Sequence, residues 1–149
     1  MLTGAVIAAA VQQPWLVVPL ALVSHFVLDT VPHFGVVEND INARNRHPLF
    51  KTVLAVDLAV LFTALILIPL LFSGKVSGWV LLAGMVAAWL PDVVWVSHFW
   101  HNRKGHIVKE PSWLTRFHQK IQWFERPPGL AIEILWLLGT LVALSVIAA

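Results

Sequence analysis

Acidic residues set inside apolar sequence constrain this chain more than any motif does. Four long apolar stretches, Trp15 to His33, Leu49 to Phe72, Trp79 to Trp100 and Leu130 to Ala149, are each long enough to cross a hydrocarbon core about 30 Å thick. They contain Asp29, Asp57, Asp92 and Glu133. A charged side chain at the centre of such a stretch costs about 2.5 to 3.5 kcal/mol, so these residues call for a shared compensation. The chain is 58% hydrophobic and 12% charged, against about 25% charged in an ordinary soluble domain. That composition excludes a soluble globular protein. With 149 residues, the apolar stretches have to form one membrane-embedded domain spanning 1–149. The expected fold class is all-α: an integral membrane bundle of about four transmembrane helices, with a short N-terminal helix and an amphipathic surface helix.

The punctuation along the chain supports this organisation. The opening run to Val11 is too short, and lacks the basic flank, for a cleaved signal peptide, so it reads as a retained short helix. Gln12, Gln13 and Pro14 end it, since proline removes a helical donor and restricts the residue before it. Gly84 and Ala88 stand at the small-xxx-small spacing that lets helices approach closely, and Asp92 continues that stripe into the bundle. Between the third and fourth stretches, Leu114, Phe117, Ile121 and Phe124 recur at three and four residues, the mark of an amphipathic helix lying on the membrane surface.

Positive residues orient the bundle. Arg44, Arg46 and Lys51 flank one connection and Arg103, Lys104, Lys109, Arg116, Lys120 and Arg126 the other, whereas the intervening turn has only Lys75. By the positive-inside rule both basic connections face the cytoplasm, giving a multi-pass protein of the inner (plasma) membrane. The net charge of +2, placed beside apolar segments and not along one face, argues against nucleic-acid binding. Membrane lipids are the expected partners.

With this topology Asp29, His33, Asp57, Asp92 and Glu133 fall at one membrane depth, and a shared cation is the economical compensation. There is no cysteine, so ligands must come from His, Asp and Glu. The sharpest local signal is His25, Asp29 and His33, four residues apart on one helical stripe. The rise from His25 to His33 is roughly 12 Å, too long for one ion, so Asp29 is expected to bridge two. Expected metal ligands are therefore His25, Asp29, His33, Asp57 and Asp92, with Glu133 the weakest addition. A buried polar network of packed histidines and a capping aspartate is the plain alternative.

On the amphipathic helix His118, Gln122 and Glu125 form a polar stripe beside the apolar one. His118 and Glu125 are the expected general acid and base overhanging the site; a solvated polar face is the alternative. His98, His101 and His106 form a second-ranked group that suits either metal or lipid headgroups. Arg116, Lys120 and Arg126 are placed to meet a phosphate.

His25-Phe26-Val27-Leu28-Asp29 followed by Pro32-His33 resembles the ligand segment of the zinc-dependent phospholipase C and P1-type nuclease superfamily. The same segment with Leu90-Pro91-Asp92 is similar to the bacterial inner-membrane metal-dependent hydrolase family known as YdjM. The nuclease-type spacing from Asp to the second His is longer than here, and the YdjM-like His-Arg-Gly…Thr-His-Ser segment is absent, with His101 to His106, or His118, in a position to replace it. The resemblance implies phosphoester or phospholipid hydrolysis.

Together these readings give a metal-dependent hydrolase with one to three divalent ions, zinc first and manganese or iron as alternatives, activating water at the cytoplasmic face. The competing class is a protein that binds or transports metal ions or protons through the same cluster. Its weakness is the far half of the spans, which offers little beyond Thr63, Thr140 and Ser145.

Overall fold

The computed structural model describes residues 1–35, 48–72, 74–103 and 113–148. They form six helices: α1 (Leu2–Val11), α2 (Pro14–Asp29), α3 (Pro48–Leu71), α4 (Gly78–Arg103), α5 (Trp113–Ile121) and α6 (Gly129–Ala148). No strand occurs among the described residues. Arg44, Arg46, Lys104 and Lys109, on which the expected orientation partly rests, lie outside them.

The expected break before Pro14 is a tight reversal. Gln12 takes the left-handed conformation with φ 59° and closes α1 through its backbone N–H to Ala8 O, and Pro14 opens α2 where its missing N–H costs nothing. α1 then runs back through the centre of the bundle against α2, α4 and α6. Small residues make this possible: Ala5 and Ala8 are fully buried. A Cβ on Gly4 would collide with the Gly84 carbonyl, and one on Gly84 would sit 2.5 Å from Gly4 O and 3.1 Å from Ala8 Cβ. The Gly84–Ala88 stripe is thus the seam where α1 meets α4. Val17, Leu81 and Met85 fill the space beside it.

α3 and α6 behave differently. Lys51–Leu71 and Gly129–Ile147 are long and apolar enough to cross a membrane, and only 11% of each apolar window is buried. A core helix of a soluble protein would be mostly covered; here Leu71, Leu135 and Val146 are about 70% exposed. So much apolar surface needs an apolar surrounding, which supports a membrane protein.

The expected first span is shorter than its hydropathy implies. α2 stops at Asp29 after 16 residues, about 24 Å at 1.5 Å per residue. Pro32 lacks the donor to continue the helix, and Thr30 caps its end with Oγ1 on Val27 O at 2.7 Å. The next residues pair elsewhere. His33 forms an isolated parallel bridge with Glu125, its N–H reaching Phe124 O at 3.4 Å and its carbonyl accepting Arg126 N–H at 3.0 Å. Gly129 packs on the His33 backbone with no room for a Cβ, so the ends of α2, α5 and α6 are stitched together. α4, with 26 residues, is about 39 Å long at 1.5 Å per residue.

Candidate metal centre

His25 and Asp29 lie one turn apart at the end of α2, on the face turned to α4 and α5. The His25 ring approaches the α4 backbone, its Nδ1 2.9 Å from Ala88 O. A carbonyl only accepts, so Nδ1 carries the proton and donates. In the neutral ring Nε2 then bears a lone pair. That atom is buried without a hydrogen-bond partner, 3.3 Å from Asp29 Oδ2 and 3.7 Å from Asp92 Oδ1. An acceptor facing two carboxylates is unfavourable; a proton on Nε2, which makes the ring an imidazolium paired with Asp29, or a metal ion in that place removes the conflict.

α5 closes this group from the other side. Trp113 and Trp123 point outward, while His118 is turned inward and buried. Its ring packs edge-on near His25, centroids 5.4 Å apart, and Phe117 meets Phe26 at 5.7 Å. His118 Nε2 lies 2.5 Å from Asp29 Oδ2 and 3.3 Å from the Gln122 amide nitrogen. The carboxylate asks that nitrogen to donate and the amide asks it to accept; one proton cannot satisfy both.

Ligand atoms of His25, Asp29 and His118 all lie within 4.8 Å of one another, so this buried group can hold a metal ion. Two imidazole nitrogens and a carboxylate oxygen are a set that zinc accepts, and ligand atoms on a tetrahedral zinc sit roughly 3.3 Å apart. The His25–Asp29 separation matches that spacing, whereas His118 Nε2 and Asp29 Oδ2, 2.5 Å apart, stand at direct hydrogen-bond distance and would have to part to admit an ion. The proton on His25 Nδ1, held by a backbone carbonyl, is the usual outer partner of a metal-binding imidazole. Asp92, whose side chain is 46% exposed, stands at the rim.

His33 and Asp57 are held elsewhere. Because α2 ends at Asp29, His33 leaves the stripe of His25 and Asp29, and its Nδ1 donates to Val31 O at 2.9 Å. It borders, with Asp29, Asp57 and Glu133, an open cleft of about 610 Å³ between the start of α1, the end of α2, α3 and α6. Glu133 accepts the Phe34 N–H at 3.0 Å. Glu125 packs against Gly35 beside the His33 bridge. Asp29 is therefore the one residue common to the histidine group and the cleft. The side chains of His98 and His101, and the whole of His106, lie outside the described residues.

Sequence reasoning named His118 but not its place among the ligands. The signal was the polar stripe of His118, Gln122 and Glu125, which the structure turns inward at His118 beside His25 and Asp29. Comparison with protein-family models, curated proteins and solved structures finds no match.

Proposed function

We propose that this chain is a membrane-embedded metal-dependent hydrolase acting on phosphoester or phospholipid substrates at the cytoplasmic face of the inner membrane. One observation carries the reading: His25, Asp29 and His118 bring their ligand atoms within 4.8 Å of one another, with Asp92 at the rim. Zinc is the first choice of ion for such a site, with iron or manganese as alternatives. When bound, a divalent ion supplies a Lewis acid and brings the acidity of water toward neutrality.

The protein's own residues do the rest. His25, Asp29 and His118 form the ligand set, and Gln122 and Ala88 fix the two rings. Asp92, half-exposed and 3.7 Å from His25 Nε2, is the nearest further carboxylate among the described residues and takes the proton from the attacking water. Water oxygen bonds to phosphorus, the ester P–O bond breaks, and the proton held by Asp92 passes to the departing alkoxide, which leaves as the alcohol. In this reading α2 and the apolar part of α4 join α3 and α6 as the remaining spans of a four-span bundle, with α5 lying at the interface through Trp113 and Trp123.

Transport is the weaker reading. In the far half of α6, Thr140 Oγ1 bonds Trp136 O at 3.0 Å and Ser145 Oγ bonds Val142 O at 2.8 Å, both back onto their own helix. Neither hydroxyl is offered to a path. The test is a screen of metal-loaded protein in liposomes against phosphodiesters and phospholipids, with ion flux followed in parallel. Metal-dependent release of a phosphorylated product, abolished in Asp92→Asn, is the expected result. A loaded protein that cleaves none of them and moves ions would overturn the proposal.

A further inference from the structure

The residues of α5 fall on two faces with different partners. Leu114, His118 and Ile121, four and three residues apart, form the more covered stripe, and His118 on it is buried in the histidine group. Trp113, Arg116, Phe117 and Lys120 recur at helical spacing on the other side and are all exposed, Trp113 by 78%. Trp123, just beyond the helix, is 67% exposed, and Arg126 follows with its guanidinium 5.3 Å from the centre of the Phe124 ring. The indoles and the cations thus lie on the side that the bundle leaves open.

A helix of nine residues is too short to hold its own shape in water. The bundle supports it at α2, through His118 on Asp29 and Phe117 against Phe26. Trp113 and Trp123 gain little from that contact. Large exposed aromatic rings set among basic side chains are the composition of a membrane boundary, and Trp123 and Arg126 precede by six and three residues the start of α6, a helix suited to lipid. The charge points to one kind of lipid. Residues 101–128 carry Arg103, Lys104, Lys109, Arg116, Lys120 and Arg126 against Glu110 and Glu125, an excess of four, and Glu125 packs against Gly35. A basic cluster of this size adjoining the end of a helix such as α4 complements the phosphates of an anionic leaflet.

We propose that the outer face of α5 is a docking surface for anionic phospholipid headgroups, with Lys120 and Arg126 on the phosphates and Trp113 and Trp123 at the acyl boundary, and that lipid bound there tightens metal binding at the inner face. The docking rests on the α5 face alone, and the coupling rests on the ligand set of the hydrolase reading. His118 is the link. One short helix carries both the lipid-facing cations and the imidazole that meets Asp29, so a lipid that favours the seated helix favours the assembled ligand set. The coupling is reciprocal: metal strengthens the hold on anionic lipid by the factor by which the lipid strengthens the hold on metal.

The test uses the full chain in nanodiscs of phosphatidylcholine, with and without a quarter of phosphatidylglycerol. Hydrogen exchange of the α5 amides, followed by mass spectrometry, reports how firmly the helix is seated. The anionic lipid should slow that exchange about fivefold or more, and the effect should shrink as salt is raised. Lys120→Gln with Arg126→Gln should restore the rate found in phosphatidylcholine alone, whereas Lys120→Arg with Arg126→Lys should keep the slower one. Zinc affinity, measured by chelator competition, should rise with phosphatidylglycerol more in the wild type than in the glutamine variant; zinc gathered at any anionic surface raises both alike. Exchange that ignores lipid charge, or slowing that persists in the glutamine variant, would overturn the docking surface, and an equal rise in zinc affinity in both proteins would overturn the coupling. Slowed exchange in a protein that binds no zinc would support the docking surface and remove the metal centre with the hydrolase reading.

Discussion

His118 Nε2 lies 2.5 Å from Asp29 Oδ2, joining two residues 89 positions apart in the chain. That contact docks the amphipathic helix α5 onto the end of α2 and completes a group that neither helix forms alone. His25 contributes the third atom, and Ala88 on α4 sets which of its nitrogens faces inward. Three helices therefore meet at one carboxylate.

The first prediction separates ligands from bystanders. His118→Ala should weaken metal binding by about 100-fold or more, whereas His33→Ala, whose Nδ1 is occupied by Val31 O, should change it by less than about threefold. Competition with a fluorescent zinc chelator measures both. Equal losses in the two variants would return His33 to the ligand set.

Gln122 tests the outer layer. Its amide nitrogen stands 3.3 Å from His118 Nε2, and removing such a partner typically costs 10- to 100-fold in metal affinity. Gln122→Ala should fall in that range with the fold intact by circular dichroism. An unchanged affinity would show that the contact does not orient the ring.

Protons and the metal compete for the same imidazole nitrogens, so metal affinity should fall as pH is lowered and binding should release protons. Calorimetry in two buffers of different ionisation enthalpy counts them. Proton release on binding that grows as the pH is lowered is expected. A binding enthalpy independent of buffer at pH 6 would contradict ligation by His25 and His118.

The α1–α4 seam makes a prediction about stability. Gly84→Val places atoms where Gly4 O, Val17 and Ala8 already lie, and overpacking of this kind costs typically 1 to 3 kcal/mol. Gly139→Val, with nothing within 4 Å of its Cβ, should be close to neutral. Thermal unfolding in detergent compares them, and similar melting temperatures would argue that α1 does not pack against α4.

Much of this arrangement was legible in the residues. The four-residue spacing of His25 and Asp29 marked them as neighbours on one face, and Gly84, Ala88 and Asp92 marked the stripe that turns inward. The stripe does not reach His33, because periodicity carries no information about where a helix stops; Pro32 and the pairing with Glu125 decide that. The burial of α1 was hidden as well. A helix that is apolar all round, such as Leu2–Val11, has no preferred face, and only the absence of side-chain bulk at Gly4 and Gly84 tells that it lies at the centre. The cleft between α3 and α6 was out of reach for the same reason, since its walls are assembled from residues that each look lipid-facing on their own helix.

The central claim is that His25, Asp29 and His118 hold a metal ion, and elemental analysis of detergent-purified protein never exposed to a nickel column tests it most directly. About one equivalent or more of zinc, manganese or iron in the wild type, lost in Asp29→Asn, is the predicted result. A well-folded wild-type protein that is metal-free, and stays so after incubation with each ion, would contradict it and leave the three residues as a buried hydrogen-bonded network.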